Sequence, residues 1–136
     1  MPVVDTSFLI DLDRGEDAAL AALHVLVEDH EEMLVPPQTA IEYLTGYEDA
    51  VANLSDLEAS YEVLDVDRAT MLETAQIARE AIEADDSPGW PDARIAAAAS
   101  LEAEEVLTAN PEDFEAFGCQ TWDYRNEVRS PGSASD

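Results

Sequence analysis

The chain contains no lysine, a single cysteine and no long apolar run. Without lysine, every basic side chain is an arginine: Arg14, Arg68, Arg79, Arg94, Arg125 and Arg129 stand against 32 acids, for a net charge of −26. The basic footprint that ordinarily carries a protein onto nucleic acid is therefore missing. Missing too is the lysine that phosphatase and receiver-type folds set beside their aspartates. Cys119 cannot form an internal disulfide and reads as a small buried hydrophobe in a reducing compartment. No stretch approaches the roughly 18 apolar residues of a membrane span, and no basic segment precedes an apolar one as in a secretory signal. A cytoplasmic protein with no membrane contact is expected.

What remains is 136 residues that are 46% apolar, enough for one domain with one core. Self-repulsion at −26 opposes compaction in dilute buffer. In about 1 M salt the Debye length falls to roughly 3 Å and that repulsion is screened. The composition resembles cytosolic proteins of salt-accumulating, haloarchaeal-like organisms rather than a disordered chain. Most acids are then solvated surface, and position must separate out any functional ones.

Hydrophobic periodicity predicts strands at 2–5, 33–35, 61–64, 106–107 and 120–122. Between them it predicts helices at 17–30, 39–44, 47–59, 67–84 and 92–103, with a loop and short helix over 110–117. Pro36-Pro37 is expected to stop the second strand, and Pro91 to open the alanine-rich helix. Alternating strands and helices point to an α/β fold, a central, mainly parallel five-stranded sheet with helices on both faces. One domain over 1–125 is expected, with a disordered tail over 126–136.

Asp5 ends the first strand, followed by Thr6 and Ser7. Glu42 lies in the helix after the second strand, and Asp92 in the first turn of the alanine-rich helix. Thr108, Asn110 and Asp113 follow the fourth strand. In a parallel sheet these strand-to-helix junctions share one edge, where open α/β folds build their sites. Converging carboxylates repel one another, and a hard divalent cation, Mg²⁺ or Mn²⁺, with its preference for oxygen ligands, relieves this. His24 and His30 read as surface or packing residues.

Val4-Asp5-Thr6-Ser7-Phe8-Leu9-Ile10-Asp11-Leu12, followed by Arg14-Gly15, resembles the opening motif of PIN-domain nucleases, specifically VapC-type toxins. Three further segments fit the same order: 39–44 around Glu42, 91–99 around Asp92, and 107–114 around Asp113. The resemblance covers about residues 2–123. It implies a three-layer α/β/α sandwich with a metal-dependent ribonuclease site. Asp5, Glu42 and Asp92 match the family's three core acids, Asp113 the more variable fourth, and Asn110 a neighbouring polar ligand. Thr6, Ser7 and Thr108 match hydroxyls that orient those carboxylates or bound water. The resemblance also implies an RNA substrate, a VapB-like antitoxin and a homodimer.

Arg14 and Arg94 are candidates to contact substrate phosphate or an antitoxin carboxylate, with a structural ion pair as the alternative. Trp90 is a candidate to stack on a base, or else packs its own loop. Asp11, Asp13, Asp85, Asp86, Glu104 and Glu105 read as solvated surface. Two other functions stay open: a non-catalytic PIN-like partner-binding protein, and a Mg²⁺-dependent phosphatase or receiver-like domain.

Overall fold

The computed structural model describes residues 1–84, 86 and 89–132. Its centre is a sheet of five strands, β1 (Val3–Val4), β2 (Leu34–Val35), β3 (Glu62–Val63), β4 (Val106–Thr108) and β5 (Thr121–Asp123). The order is β3-β2-β1-β4-β5 and every pairing is parallel. Seven helices occur among the described residues: α1 (Thr6–Asp13), α2 (Asp17–Glu28), α3 (Pro37–Leu44), α4 (Ala50–Ser60), α5 (Arg68–Glu83), α6 (Trp90–Glu102) and α7 (Pro111–Glu115). The α/β architecture expected from the alternating pattern is present.

Both sheet faces are covered, so the central strands are apolar on both sides. Val4, Val35, Leu107 and Trp122 point into one core with Phe8, Leu9, Ala19, Ala22 and Leu26. Val3, Leu34 and Val106 point into the other, against the alanines of α6, Ile77 of α5 and Phe114 of α7. Ala93 and Ala96 through Ala99 are all buried. Side chains this small let α6 lie close to the sheet and to α5, which gives it the central place its composition suggested.

Boundaries differ from expectation where local capping decides them. Asp5 is not the last residue of a strand: it has extended φ/ψ and its side chain caps α1. β2 ends at Val35, before Pro36-Pro37 as expected, but α3 begins at Pro37 instead of residue 39, because a first-turn residue needs no N–H donor. Residues 45–49 form a turn rather than helix, and α4 begins only where the Asp49 side chain accepts from the Ala52 N–H at 3.0 Å. The α6 helix starts at Trp90, launched from Gly89 at φ +51°, a left-handed conformation that glycine adopts without strain.

The largest revision concerns Asp11, expected on the surface. It is only 3% exposed, and its Oδ2 accepts from Tyr124 Oη at 2.6 Å and from Arg125 Nε and Nη2 at 2.9 and 2.7 Å. Burial alone would raise this carboxyl, but those hydrogen bonds, with the charges of Arg125 and Arg14, outweigh it and hold it below the usual range. Glu105 likewise is no free surface acid: Arg129 grips it with two bonds of 2.6 and 3.0 Å while stacking 4.3 Å above Trp122. Asp13 and Asp86 are exposed as expected. Asp85, and residues 133–136 of the predicted tail, lie outside the described residues.

Candidate metal centre

Strand order reverses between β1 and β4, so the chain leaves β1 in one direction and β4 in the other. A crevice at the carboxyl ends of such a pair is where open α/β sheets bind ligands. Asp5 stands there, 7% exposed, with its N–H bonded to Leu107 O across the switch point at 3.0 Å.

Its carboxylate is held from three sides. Oδ1 accepts from the Thr6 N–H at 2.8 Å. Oδ2 accepts from Ser7 Oγ at 3.1 Å and from Thr108 Oγ1 at 2.8 Å. The two hydroxyls are themselves fixed, because Ser7 Oγ accepts from the Ala109 N–H and Thr108 Oγ1 from the Asn110 N–H. One network thus joins the first turn of α1 to the loop after β4. Asn110 enters it through its backbone. Thr39 adds a brace the sequence did not announce: its Oγ1 donates to Val4 O at 2.8 Å and ties the start of α3 to β1.

Charge reveals the convergence. Burial pushes the Asp5 carboxyl up, the bonds from Thr108, Thr6 and Ser7 pull it down, and the charge of Asp113 adds to the rise. The net direction is upward. Asp92, in the first turn of α6, is pushed up to about 6 by burial and then by the charges of Asp113, Asp5 and Glu42. Four carboxylates from four separate segments therefore share one electrostatic site, and no basic group contributes to the shift of either Asp5 or Asp92.

This donor set suits a hard divalent cation in kind: all oxygen, several negative charges and no competing ammonium. Thr6 Oγ1, beside Asp5, is buried without a hydrogen-bond partner in the protein. In their present positions, however, no three acids among the described residues stand close enough to hold one ion. Asp92 and Asp113 also border a cavity of about 470 Å³, whose wall includes Glu80, Asp86 and Glu112. Sequence reasoning missed these last three as site neighbours. They sit on helix faces and a loop, with no strand-end position to mark them.

The predicted contact residues lie elsewhere. Arg14 is exposed and close enough to Asp11 to lower that acid's pKa. Arg94 donates to Gln38 Oε1 at 2.9 Å. Together with Trp90, Arg94 lines an apolar groove between α3, α5 and α6.

Residues 3–118 match the PIN domain family model. The chain belongs to the PIN-domain family. Its fold matches that of solved complexes: DNA-bound VapBC from Salmonella typhimurium superposes with a TM-score of 0.75 at 22% identity, covering 91% of this chain and 99% of that one. VapBC-1 from nontypeable Haemophilus influenzae gives 0.73 at 20% identity, covering 91% and 98%. A toxin–antitoxin complex from Klebsiella pneumoniae gives 0.67 at 22% identity, covering 84% and 90%. No curated protein matches the chain significantly in sequence. PIN membership sets aside the phosphatase and receiver reading.

Proposed function

We propose that this PIN-domain protein is a divalent-metal-dependent endoribonuclease and the toxin of a type II toxin–antitoxin pair. The observation that carries the proposal is the shared site of Asp5, Glu42, Asp92 and Asp113 at the sheet's switch point, with its unrelieved negative charge. These four acids would hold Mg²⁺ or Mn²⁺, with Asn110 as a neighbouring polar ligand. When bound, such an ion acidifies water and neutralises charge on a phosphodiester undergoing in-line displacement. Ser7 and Thr108 keep Asp5 in one orientation. One of these four carboxylates would also accept the proton of the attacking water. Arg14 remains a candidate for phosphate or antitoxin contact, whereas Arg94 and Trp90, which line the groove between α3, α5 and α6, are assigned to a protein contact there instead of to RNA.

A VapB-like antitoxin is the proposed partner, in line with the fold shared with VapBC and other toxin–antitoxin complexes. A homodimer is proposed as well, seated on the groove between α3, α5 and α6. Ile41, Val66, Met71, Leu72 and Trp90 there are each more than half exposed. An apolar surface of this kind on so acidic a protein calls for a partner.

The −26 charge opposes RNA binding, but molar salt weakens that repulsion and a bound cation offsets it locally. The direct test is cleavage of structured RNA in molar KCl with Mg²⁺ or Mn²⁺, and again with EDTA. Cleavage that needs the metal and stops with the chelator is expected, and activity indifferent to EDTA would exclude the mechanism. A second reading, a non-catalytic partner-binding PIN protein, is favoured by the spacing of the acids, no three of which, among the described residues, stand close enough to hold one ion. It predicts antitoxin binding with no cleavage under any metal.

A further inference from the structure

One hydroxyl fastens the helix that carries Glu42 to the strand that leads into Asp5. In a parallel pair, alternate residues of a strand bond across to the same neighbour. On the β2 side of β1 the Leu34 N–H donates to Pro2 O at 2.9 Å. Two residues further along, the matching rung would run from residue 36 to Val4. Pro36 has no N–H to give, so the ladder stops just before the site. The carbonyl left over belongs to a residue that is 0% exposed, and a buried carbonyl needs a partner. Thr39, also fully buried, supplies one: its Oγ1 donates to Val4 O at 2.8 Å.

That bond joins two segments that carry site acids. Val4 directly precedes Asp5. Thr39 and Glu42 are three residues apart on α3 and so share one side of the helix. Tyr43, beside Glu42, holds the far end of α3 to the end of α1, its hydroxyl donating to Asp13 Oδ2 at 2.6 Å. Gln38, beside Thr39, accepts from Arg94 at 2.9 Å, on the helix that opens with Asp92. Of these ties the Thr39 bond is the one sealed from water, where a hydrogen bond constrains geometry most.

We propose that Thr39 is a positioning residue for the metal centre: its hydroxyl stands in for the missing backbone rung and fixes the Glu42 helix relative to Asp5. It touches neither ion nor substrate. The role rests on the metal-centre reading and adds to it a dependence on one buried hydroxyl outside the four acids. Ligands whose carrying segments can shift against each other must be ordered by the ion itself, which weakens binding. Outer partners of metal ligands typically set affinity by about 10- to 100-fold. Thr39 acts through the backbone and not on a carboxylate, so the low end of that range, about 10-fold, is expected.

The test compares Thr39→Val, which keeps the shape and removes the hydroxyl, with Thr39→Ser, which keeps the hydroxyl. Mn²⁺ binding is measured by calorimetry on the intact chain, with folding checked by circular dichroism. Thr39→Val should bind Mn²⁺ about 10-fold more weakly at unchanged stoichiometry, and its RNA cleavage should lose kcat with KM unchanged. Thr39→Ser should bind Mn²⁺ and cleave RNA much as the wild type does. A merely structural defect would lower the fraction of competent sites and leave their affinity alone. If Thr39→Val does not fold, Thr39→Ala replaces it, since the smaller side chain leaves room for a water at the Val4 carbonyl, and weaker binding is again expected. Wild-type protein that binds Mn²⁺ while the variant without the hydroxyl binds it equally well overturns the role of Thr39 alone. So does Thr39→Ser binding as weakly as that variant. Wild-type protein that binds no Mn²⁺ overturns the metal centre, and the role of Thr39 falls with it.

Discussion

Replacing Asp92 by asparagine should stabilise the metal-free protein while destroying its proposed activity. Asp92 is lifted from 3.8 to about 6 by burial and by three neighbouring acids. That rise of about 2 units corresponds to about 3 kcal/mol at 1.36 kcal/mol per unit. Asp92 is only part-buried, so water screens the interaction and about half survives, about 1–1.5 kcal/mol. For a chain of this size the unfolding midpoint should move up by about 3–6 °C. The pH dependence gives the sign a separate check. A carboxyl raised in the fold contributes its full stability only below its ordinary range near 3.8, and the contribution is lost as pH rises through 6. Asparagine has no such loss. The variant should therefore lead the wild type by its full margin at pH 7.5, and the lead should shrink as pH falls through 6 towards 4.5. Thermal unfolding followed by circular dichroism, in EDTA and constant KCl, measures both. A variant no more stable than wild type at pH 7.5, or a lead unchanged at pH 4.5, would refute the claim that these carboxylates repel one another.

Asp5→Asn should leave the circular dichroism spectrum unchanged, since the amide oxygen can still accept from the Thr6 N–H while its NH2 donates to the Ser7 and Thr108 hydroxyl oxygens, yet abolish RNA cleavage; residual turnover above a few per cent would move the site elsewhere. Asp11→Ala strands the Tyr124 hydroxyl and the Arg125 charge. Because Arg125 is half exposed, the cost should fall at about 2–3 kcal/mol, below that of a fully buried pair, and urea unfolding checks it. Met71→Glu places a charge in the groove between α3, α5 and α6. It should convert a dimer to monomer by light scattering, and an unchanged mass would remove that face from the interface.

The sequence marks the site where chemistry and local structure coincide. Asp5 could be picked from 32 acids because two valines lead into it and Thr-Ser follows, a strand end and a helix cap in adjacent residues. Asp92 could be picked because it falls in the first turn of the alanine-rich helix, and Asp113 because it follows the fourth strand with Thr108 and Asn110. Asp11 could not. Its partners are 113 and 114 residues away, and in a chain this acidic nothing local separates the one buried aspartate of α1 from solvated neighbours such as Asp13. The same limit hid Glu80, Asp86 and Glu112, which reach the cavity only through the packing of α5, α6 and α7. The starts of α3 and α4 were misplaced for a more local reason. The strand does stop before Pro36-Pro37, but Pro37 also opens α3, and Asp49 caps α4 only after a turn.

The central claim is that Asp5, Glu42, Asp92 and Asp113 hold a divalent cation at the carboxyl edge of β1. Crystals soaked in Mn²⁺ and measured at a wavelength where manganese scatters anomalously test it most directly. The account predicts an anomalous peak coordinated by Asp5, Asp92 and Asp113, with those side chains drawn together around it, and no such peak in Asp5→Asn crystals. A well-ordered site that stays free of manganese, or a peak bound only by Glu80, Asp86 and Glu112, would contradict it.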